Sequence, residues 1–470
     1  MQGQRRFRSL YSTTCQLRKP CATSFNLAQP RVMKIWEKGF SVNDKIEQFT
    51  VGQDRELDMY LAPFDMLASK AQAKMLASIG LISKEEEAQL LQGLEELLTQ
   101  VENGTFKIEA EFEDVHSKIE YYLTEKFGDA GKKIHTARSR NDQVLTAIQL
   151  FIKDYTERIG AKILELAELL IQQGEKYKND LLPGYTHFQA AMPSSFGLWF
   201  GAYAEHLLLD MSLLEAAHTV ADHNPLGSGA GFGSSFGIDR EQTTREMGFG
   251  NVAISAVGAQ MLRGKTEKTL AFAIASVAGT LSKLAYDLVL YNSQDLGFVK
   301  LPKEFTTGSS IMPHKKNPDV FELVRAHCNR LQALPNDIIL TINNLPSGYH
   351  RDFQILKEIL FRPMMQFANI LDILLFAVPV LEVVPGVIDQ PKYEAIFSVE
   401  NINQLIQRGV PFRDAYKQVG QAVDAGTYVP HKEFAASHLG SVHRPGLAEL
   451  GERLRQARER LSWAGPVAAG

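Results

Sequence analysis

VLTAIQLFIKDYTERIGAKILELAELLIQQGEKYKN, residues 144–179, contains no proline and carries its apolar residues at helical spacing. Segments 194–223 and 255–294 read the same way, as does 319–343 with an interruption near Pro335. At about 1.5 Å per residue the longest extends over roughly 50 Å if unbroken. Helices of that length cannot bury their apolar stripes against a short domain. They need one another, and the result is an elongated bundle. Alanines between 271 and 278 permit close helix packing, and strand-like alternation is scarce. The expected fold is therefore all-α with a long central bundle. Apolar residues on more than one side of these helices point to an oligomer.

Working outward, residues 83–104 form a shorter helix. Ser83 and Glu86 fit a capping box, Leu90, Leu94, Leu97 and Val101 make one stripe, and Gly104 is placed to end it. After about Val384 the helices shorten, glycine and proline breaks multiply, and an Arg-rich stretch, 452–460, reads as a solvated face. The expected organisation is a tail at 1–32, an N-terminal helical domain at 33–138, a central long-helix domain at 139–388 and a small C-terminal helical domain at 389–470. The tail holds Arg5, Arg6, Arg8, Arg18, Lys19 and Arg31 and no acidic residue, which resembles an organelle transit peptide. A start at Met33 and a disordered tail are the other readings.

The 470 residues are 45% apolar with a net charge of −4, ample for a large core and without the basic excess that nucleic acid binding demands. Cys15, Cys21 and Cys328 make neither a disulfide framework nor a zinc set, which fits a reducing, cytoplasmic setting unless the tail directs the chain to an organelle. No uninterrupted apolar run reaches the eighteen or so residues of a bilayer span, so no membrane partner is expected. Phosphate loops of the GxGxxG or GxxxxGKS type are absent.

Residues 306–319, TTGSSIMPHKKNPD, carry the most chemistry. Glycine, paired serines, two lysines, an asparagine and Pro318 in the first helical turn describe a flexible loop feeding a helix N-terminus, a natural anion site. A serine there acts as a base only if its alkoxide is stabilised by loop N–H groups, the helix terminus or a lysine. An isolated Gly-Ser-Ser would be a surface turn. The whole string, however, resembles the Gly-Ser-x-x-Met-x-x-Lys-x-Asn signature of the fumarase/aspartase superfamily, whose members remove a proton beside a carboxylate and then break a C–N or C–O bond. The resemblance implies that Ser309 is the base and that Lys315 and Asn317 hold the carboxylate that gathers charge. Stabilising that charge in place is what the reaction requires.

Three further strings resemble the argininosuccinate lyase branch of that superfamily. IHTARSRNDQV, 134–144, is similar to its HTGRSRNDQ, with Ala137 in place of a glycine. By resemblance Ser139, Arg140 and Asn141 face the substrate, whereas the unaided pattern would be a solvated turn. PGYTHFQ, 183–189, is similar to GYTHLQ and implies that Thr186 binds substrate and that His187 is an acid/base group supported by Glu322. LPSGYHRDFQILK, 345–357, resembles the family's Y-N-x-D-L-Q-x-D-K run and gives Tyr349, Gln354 and Lys357 as contacts to the arginine end, with His350, Phe353 and Leu356 departing from the pattern. EDVH at 113–116, NPLGSGA at 224–230 and GIDR at 237–240 support the alignment and read equally as caps and tight turns.

WEKGF, 36–40, departs from the family's WGGRF, and the stretch after it is short, which leaves Thr50 as the nearest equivalent of a substrate-binding serine. His314 replaces a glutamine, as in adenylosuccinate lyases. The resemblance implies a three-domain, homotetrameric lyase with active sites shared between subunits and neither metal nor organic cofactor. It would split argininosuccinate into arginine and fumarate in arginine biosynthesis. Adenylosuccinate lyase and a crystallin-like structural protein on the same fold are the rival readings.

Overall fold

A computed structural model of the chain describes residues 43–434 and 436–461; the tail and the WEKGF segment lie outside them. Short helices α1 (Asp44–Val51) and α2 (Asp54–Leu57) lead into α3 (Ala62–Ser78), α4 (Lys84–Glu102), α5 (Val115–Phe127) and α6 (Asp129–Lys132). The long elements are α7 (Arg140–Lys176), α8 (Phe196–Ala221) and α11 (Lys265–Tyr291), with α9 (Arg240–Met247) and α10 (Ala256–Gln260) between the last two. Then follow α12 (Asp319–Leu331), α13 (Leu334–Ile342), α14 (Ile355–Ala377), α15 (Ser398–Gln407), α16 (Phe412–Asp424) and α17 (Leu447–Leu461). The fold is all-α, as the periodicity predicts.

The strands are minor and come in four two-stranded pairs among the described residues. β1 (Leu181–Thr186) pairs antiparallel with β2 (Gln189–Ser195), and β3 (His223–Asn224) pairs parallel with β4 (Asn251–Val252). β5 (Val299–Lys300) pairs with β8 (Glu382–Val383), and β6 (Thr307–Gly308) pairs with β7 (Lys316–Asn317).

Helix α7 is the spine. Ile148, Phe151, Tyr155, Ile159, Ile163, Ala167 and Leu170 follow one another at three- and four-residue steps and are buried in the main core. Each large apolar side chain buried this way contributes about 1.5–3 kcal/mol. α8 packs along α7, α11 packs along α8, and α14 lies against α7. Ala271, Ala273 and Ala278 are fully buried on α11. A second cluster joins α3, α4 and α5 through Met66, Leu76, Leu90, Leu94, Leu97, Ile119 and Leu123.

Local signals place the helix ends. Ser83 and Glu86 form the expected capping box on α4. Ser139 and Asp142 form another at the start of α7. Asp142 also accepts the Gly227 and Gly229 amides at 3.0 and 2.8 Å, so one buried carboxylate starts the longest helix and gathers the NPLGSGA turn. Two predicted helices are divided. Segment 255–294 breaks between α10 and α11, where Gly264 adopts φ +82°, a conformation that ends a right-handed helix. Segment 319–343 breaks before α13, whose first turn accommodates Pro335 because no intrahelical N–H is needed there. Pro318 is the N-cap of α12, one position before the predicted first turn.

Among the described residues two stretches, Lys265–Tyr291 and Arg351–Val380, are long and apolar enough to cross a membrane by length and composition. This amends the sequence reading: isolated charges such as Asp372 interrupt the apolar runs without making the segments polar. Both stretches contribute buried residues to the bundle core. The Arg-rich stretch faces outward on α17, and Arg453, Arg458 and Arg460 pair with Glu205, Glu168 and Glu215 of α8 and α7. Such exposed pairs are worth little. The apolar side of α17 matters more. Leu447 enters a groove lined by glycine, where a Cβ on Gly174 would lie 2.9 Å and one on Gly201 3.1 Å from its methyl carbons.

Candidate active site

A cavity of about 450 Å³ opens where α1, α2, the start of α5, the start of α7 and the 349–357 segment meet. Arg140, Asn141, Tyr349, Gln354 and Lys357, all singled out from sequence, line it together with Thr50. Glu47, Asp54, Asp58, Glu113 and Asp114 supply carboxylates, and Arg263 and Arg351 add cations. Both signs of charge are thus displayed in one concave site, which suits a ligand with a cationic and an anionic end.

The cavity is held by long-range contacts. Lys357, buried, bridges Asp54 at 2.7 Å and Asp58 at 2.6 Å. Burial opposes its charge, and the two carboxylates outweigh that and raise its pKa. Gln354 donates to the Thr50 carbonyl at 2.7 Å and the Val51 carbonyl at 3.2 Å, joining α1 to α14. Arg140 donates to Glu113 at 3.1 Å and to the Ser117 hydroxyl at 3.0 Å. Asp114 caps α5 and titrates low, at about 2: burial pushes it up, but His116 and Arg140 more than offset that. Behind this wall the Nδ1 of His116 lies 2.5 Å from Asp65, which also accepts from Gln143. Burial disfavours the imidazolium, yet the carboxylate wins and raises the His116 pKa.

Asp54 gives a pH prediction. Burial lifts its pKa to about 6, against the opposing pull of Lys357. Below about pH 6 the cavity loses one negative charge, so a cationic ligand should bind progressively worse. A titration of arginine binding from pH 8 to 5 is expected to show affinity falling through about pH 6, and a flat profile would refute the assignment.

The other predicted residues lie elsewhere in the protomer. Ser139 does not line the cavity; its hydroxyl accepts the Asn141 amide at 3.3 Å as the N-cap of α7. Thr186 and His187 lie at the tip of the β1–β2 hairpin. His187 and Phe188 both have positive φ, +54° and +58°, the backbone of a tight two-residue hairpin loop that normally takes Asn-Gly. Neither side chain suits it, and such strain concentrates at functional sites. Both residues are exposed, Phe188 to 70%.

The signature loop is also a hairpin. β6 and β7 pair Thr307 with Asn317 and Gly308 with Lys316, and Thr307 bonds Asp319 at the helix start. Ser309 accepts the Met312 amide at 3.1 Å and the Ile311 amide at 3.4 Å. Two N–H groups aimed at a hydroxyl oxygen are what an alkoxide needs. Lys315 and Glu322 are exposed, and the expected His187–Glu322 pair is not made within one chain, because each projects outward from its own element. Sequence reasoning missed Asp54, Asp58, Glu113, His116 and Arg263 as cavity residues. Only EDVH offered a signal, and its residues were read as a cap or turn.

A lyase family model matches residues 23–333. An argininosuccinate lyase of Bacteroides fragilis is 51% identical over 432 residues, covering 92% of this chain and 97% of that protein. The chain belongs to the argininosuccinate lyase family. Solved structures agree on the fold of this family member. EDDS lyase in complex with formate superposes with a TM-score of 0.68 at 19% identity, covering 90% of this chain and 91% of that one. Class II fumarase from Schistosoma mansoni gives 0.68 at 16% identity, with 90% and 94% covered. For an argininosuccinate lyase, the protomer thus divides its recognised strings between one cavity and two outlying hairpins.

Proposed function

We propose that this chain cleaves argininosuccinate to arginine and fumarate, with the arginine end in the cavity and the succinyl end at its mouth. The observation that carries the reading is the mixed charge of the cavity beside Arg140 and Asn141. The guanidinium and α-ammonium match the carboxylates, and the cations match the carboxylate groups. Ser309 takes the proton from the succinyl carbon next to a carboxylate. Lys315, Asn317 and the loop amides hold the resulting dianionic aci-carboxylate. Its electrons return to form the fumarate double bond as the C–N bond breaks, and His187, supported by Glu322, protonates the leaving guanidine nitrogen. Thr186 binds the succinyl half.

This division of labour needs more than one copy of the chain. We infer a homotetramer in which the His187 hairpin and the Ser309 loop of neighbouring subunits complete each cavity. Leu209 and Leu213 on α8, Phe272 on α11 and Ile373 and Phe376 on α14 are exposed in the protomer, an apolar surface that association would cover. The test is fumarate release, followed by ultraviolet absorbance, from argininosuccinate with adenylosuccinate and aspartate in parallel, alongside sedimentation. Fumarate from argininosuccinate alone and a tetrameric mass are expected. Turnover of adenylosuccinate would favour the His314-based rival, silence the structural-protein rival, and an active monomer would sink the shared site.

A further inference from the structure

One cavity cation, Arg263, is given no individual role in the scheme above. Arg263, 5% exposed, directly precedes the break at Gly264. The Gly264 amide donates to Glu267 Oε2 at 2.7 Å, which turns that carboxylate back toward Arg263, whose Nε lies 3.1 Å from Oε1. Arg263 Nη2 donates to the Phe353 carbonyl at 2.9 Å, and Nη1 has no protein hydrogen-bond partner. Phe353 lies in the 3-10 turn Arg351–Gln354 that leads into α14, immediately before Gln354 and four residues before Lys357. A buried guanidinium costs desolvation, so one that is only partly satisfied at a cavity wall calls for a reason.

We propose that Arg263, oriented by Glu267, is a positioning residue for the amino-acid half of the substrate. It clamps the Phe353 carbonyl and so sets the turn that presents Tyr349, Gln354 and Lys357 to the cavity. The proposal rests on the argininosuccinate reading. The planar guanidinium spans Glu267 of α11 and the Phe353 carbonyl in the turn before α14 with fixed geometry, which a flexible ammonium cannot reproduce. The succinyl end, bound through other elements, should not feel it.

The reverse reaction separates the two ends. In Arg263→Gln, KM for arginine should rise about ten- to hundredfold, the worth of one charge-assisted hydrogen bond, while KM for fumarate stays within about twofold. Glu267→Gln, which keeps the volume, should shift arginine in the same direction by less, and it carries the test if Arg263→Gln does not fold. Arg263→Lys should restore arginine binding only in part. Calorimetric titration of arginine into each protein gives the same comparison without turnover, so a wild-type protein inactive on argininosuccinate would overturn the functional reading while the titration still judged Arg263. Equal rises for arginine and fumarate, or a lowered melting temperature with unchanged arginine affinity, would overturn the proposal.

Discussion

Replacing Ser309 with alanine is expected to lower kcat for fumarate release at least about a thousandfold, the scale seen when a nucleophile or its oxyanion support is removed. Its hydroxyl accepts only two nearby loop amides and packs into no core, so the fold should survive. The residue lies outside the arginine cavity, and arginine affinity should stay within about twofold. The measurement is single-turnover fumarate formation beside an arginine titration. A variant retaining more than a tenth of the wild-type rate would remove Ser309 from the role of base. A joint loss of rate and arginine binding would mean that the loop shapes the cavity instead.

Lys357→Met is expected to have the largest effect on stability. The ammonium neutralises Asp54 and Asp58, and Asp58 is fully buried. Methionine fills the same space but leaves the buried Asp58 carboxylate facing the half-buried Asp54 with no cation between them, a defect worth about 3–5 kcal/mol. Asp54, already raised by burial, would lose the opposing pull of Lys357 and bind its proton more tightly folded than unfolded, where a free aspartate titrates near 3.8. Between the unfolded value and the raised folded one the native state holds the extra proton, so stability should rise as pH falls through that window. Urea unfolding at pH 8 and pH 5.5 tests both parts. A loss below about 1 kcal/mol, or a variant relatively weaker at low pH, would contradict the ion-triad reading.

The helices could be read from sequence because their determinants are local. Ser83 and Glu86 lie three residues apart, and the α7 stripe repeats within a few turns. The divided helices were harder, since Gly264 disrupts a periodic pattern only through its positive φ, and glycine alone does not announce that. The site was half legible. Tyr349, Gln354 and Lys357 were found because their spacing resembles a family's. Asp54 and Asp58, some 300 residues from the lysine they hold, carry no local signature at all. Ser139 shows a different limit: its place in the motif suggested substrate contact, while its hydroxyl serves the first turn of α7. The separation of His187 from Glu322 was invisible because spacing along a chain does not reveal which chain completes a pair.

The glycine-lined groove under α17 has a bearing on how the protein is made. The ribosome delivers α7 and α8 long before residues 447–461, so the two helices can dock while the seam marked by Gly174 and Gly201 still faces water. Only the late arrival of Leu447 and Leu450 seals it. A nascent chain stalled near residue 440 would present an open apolar furrow to chaperones, and quality control could distinguish finished from unfinished copies by that furrow alone.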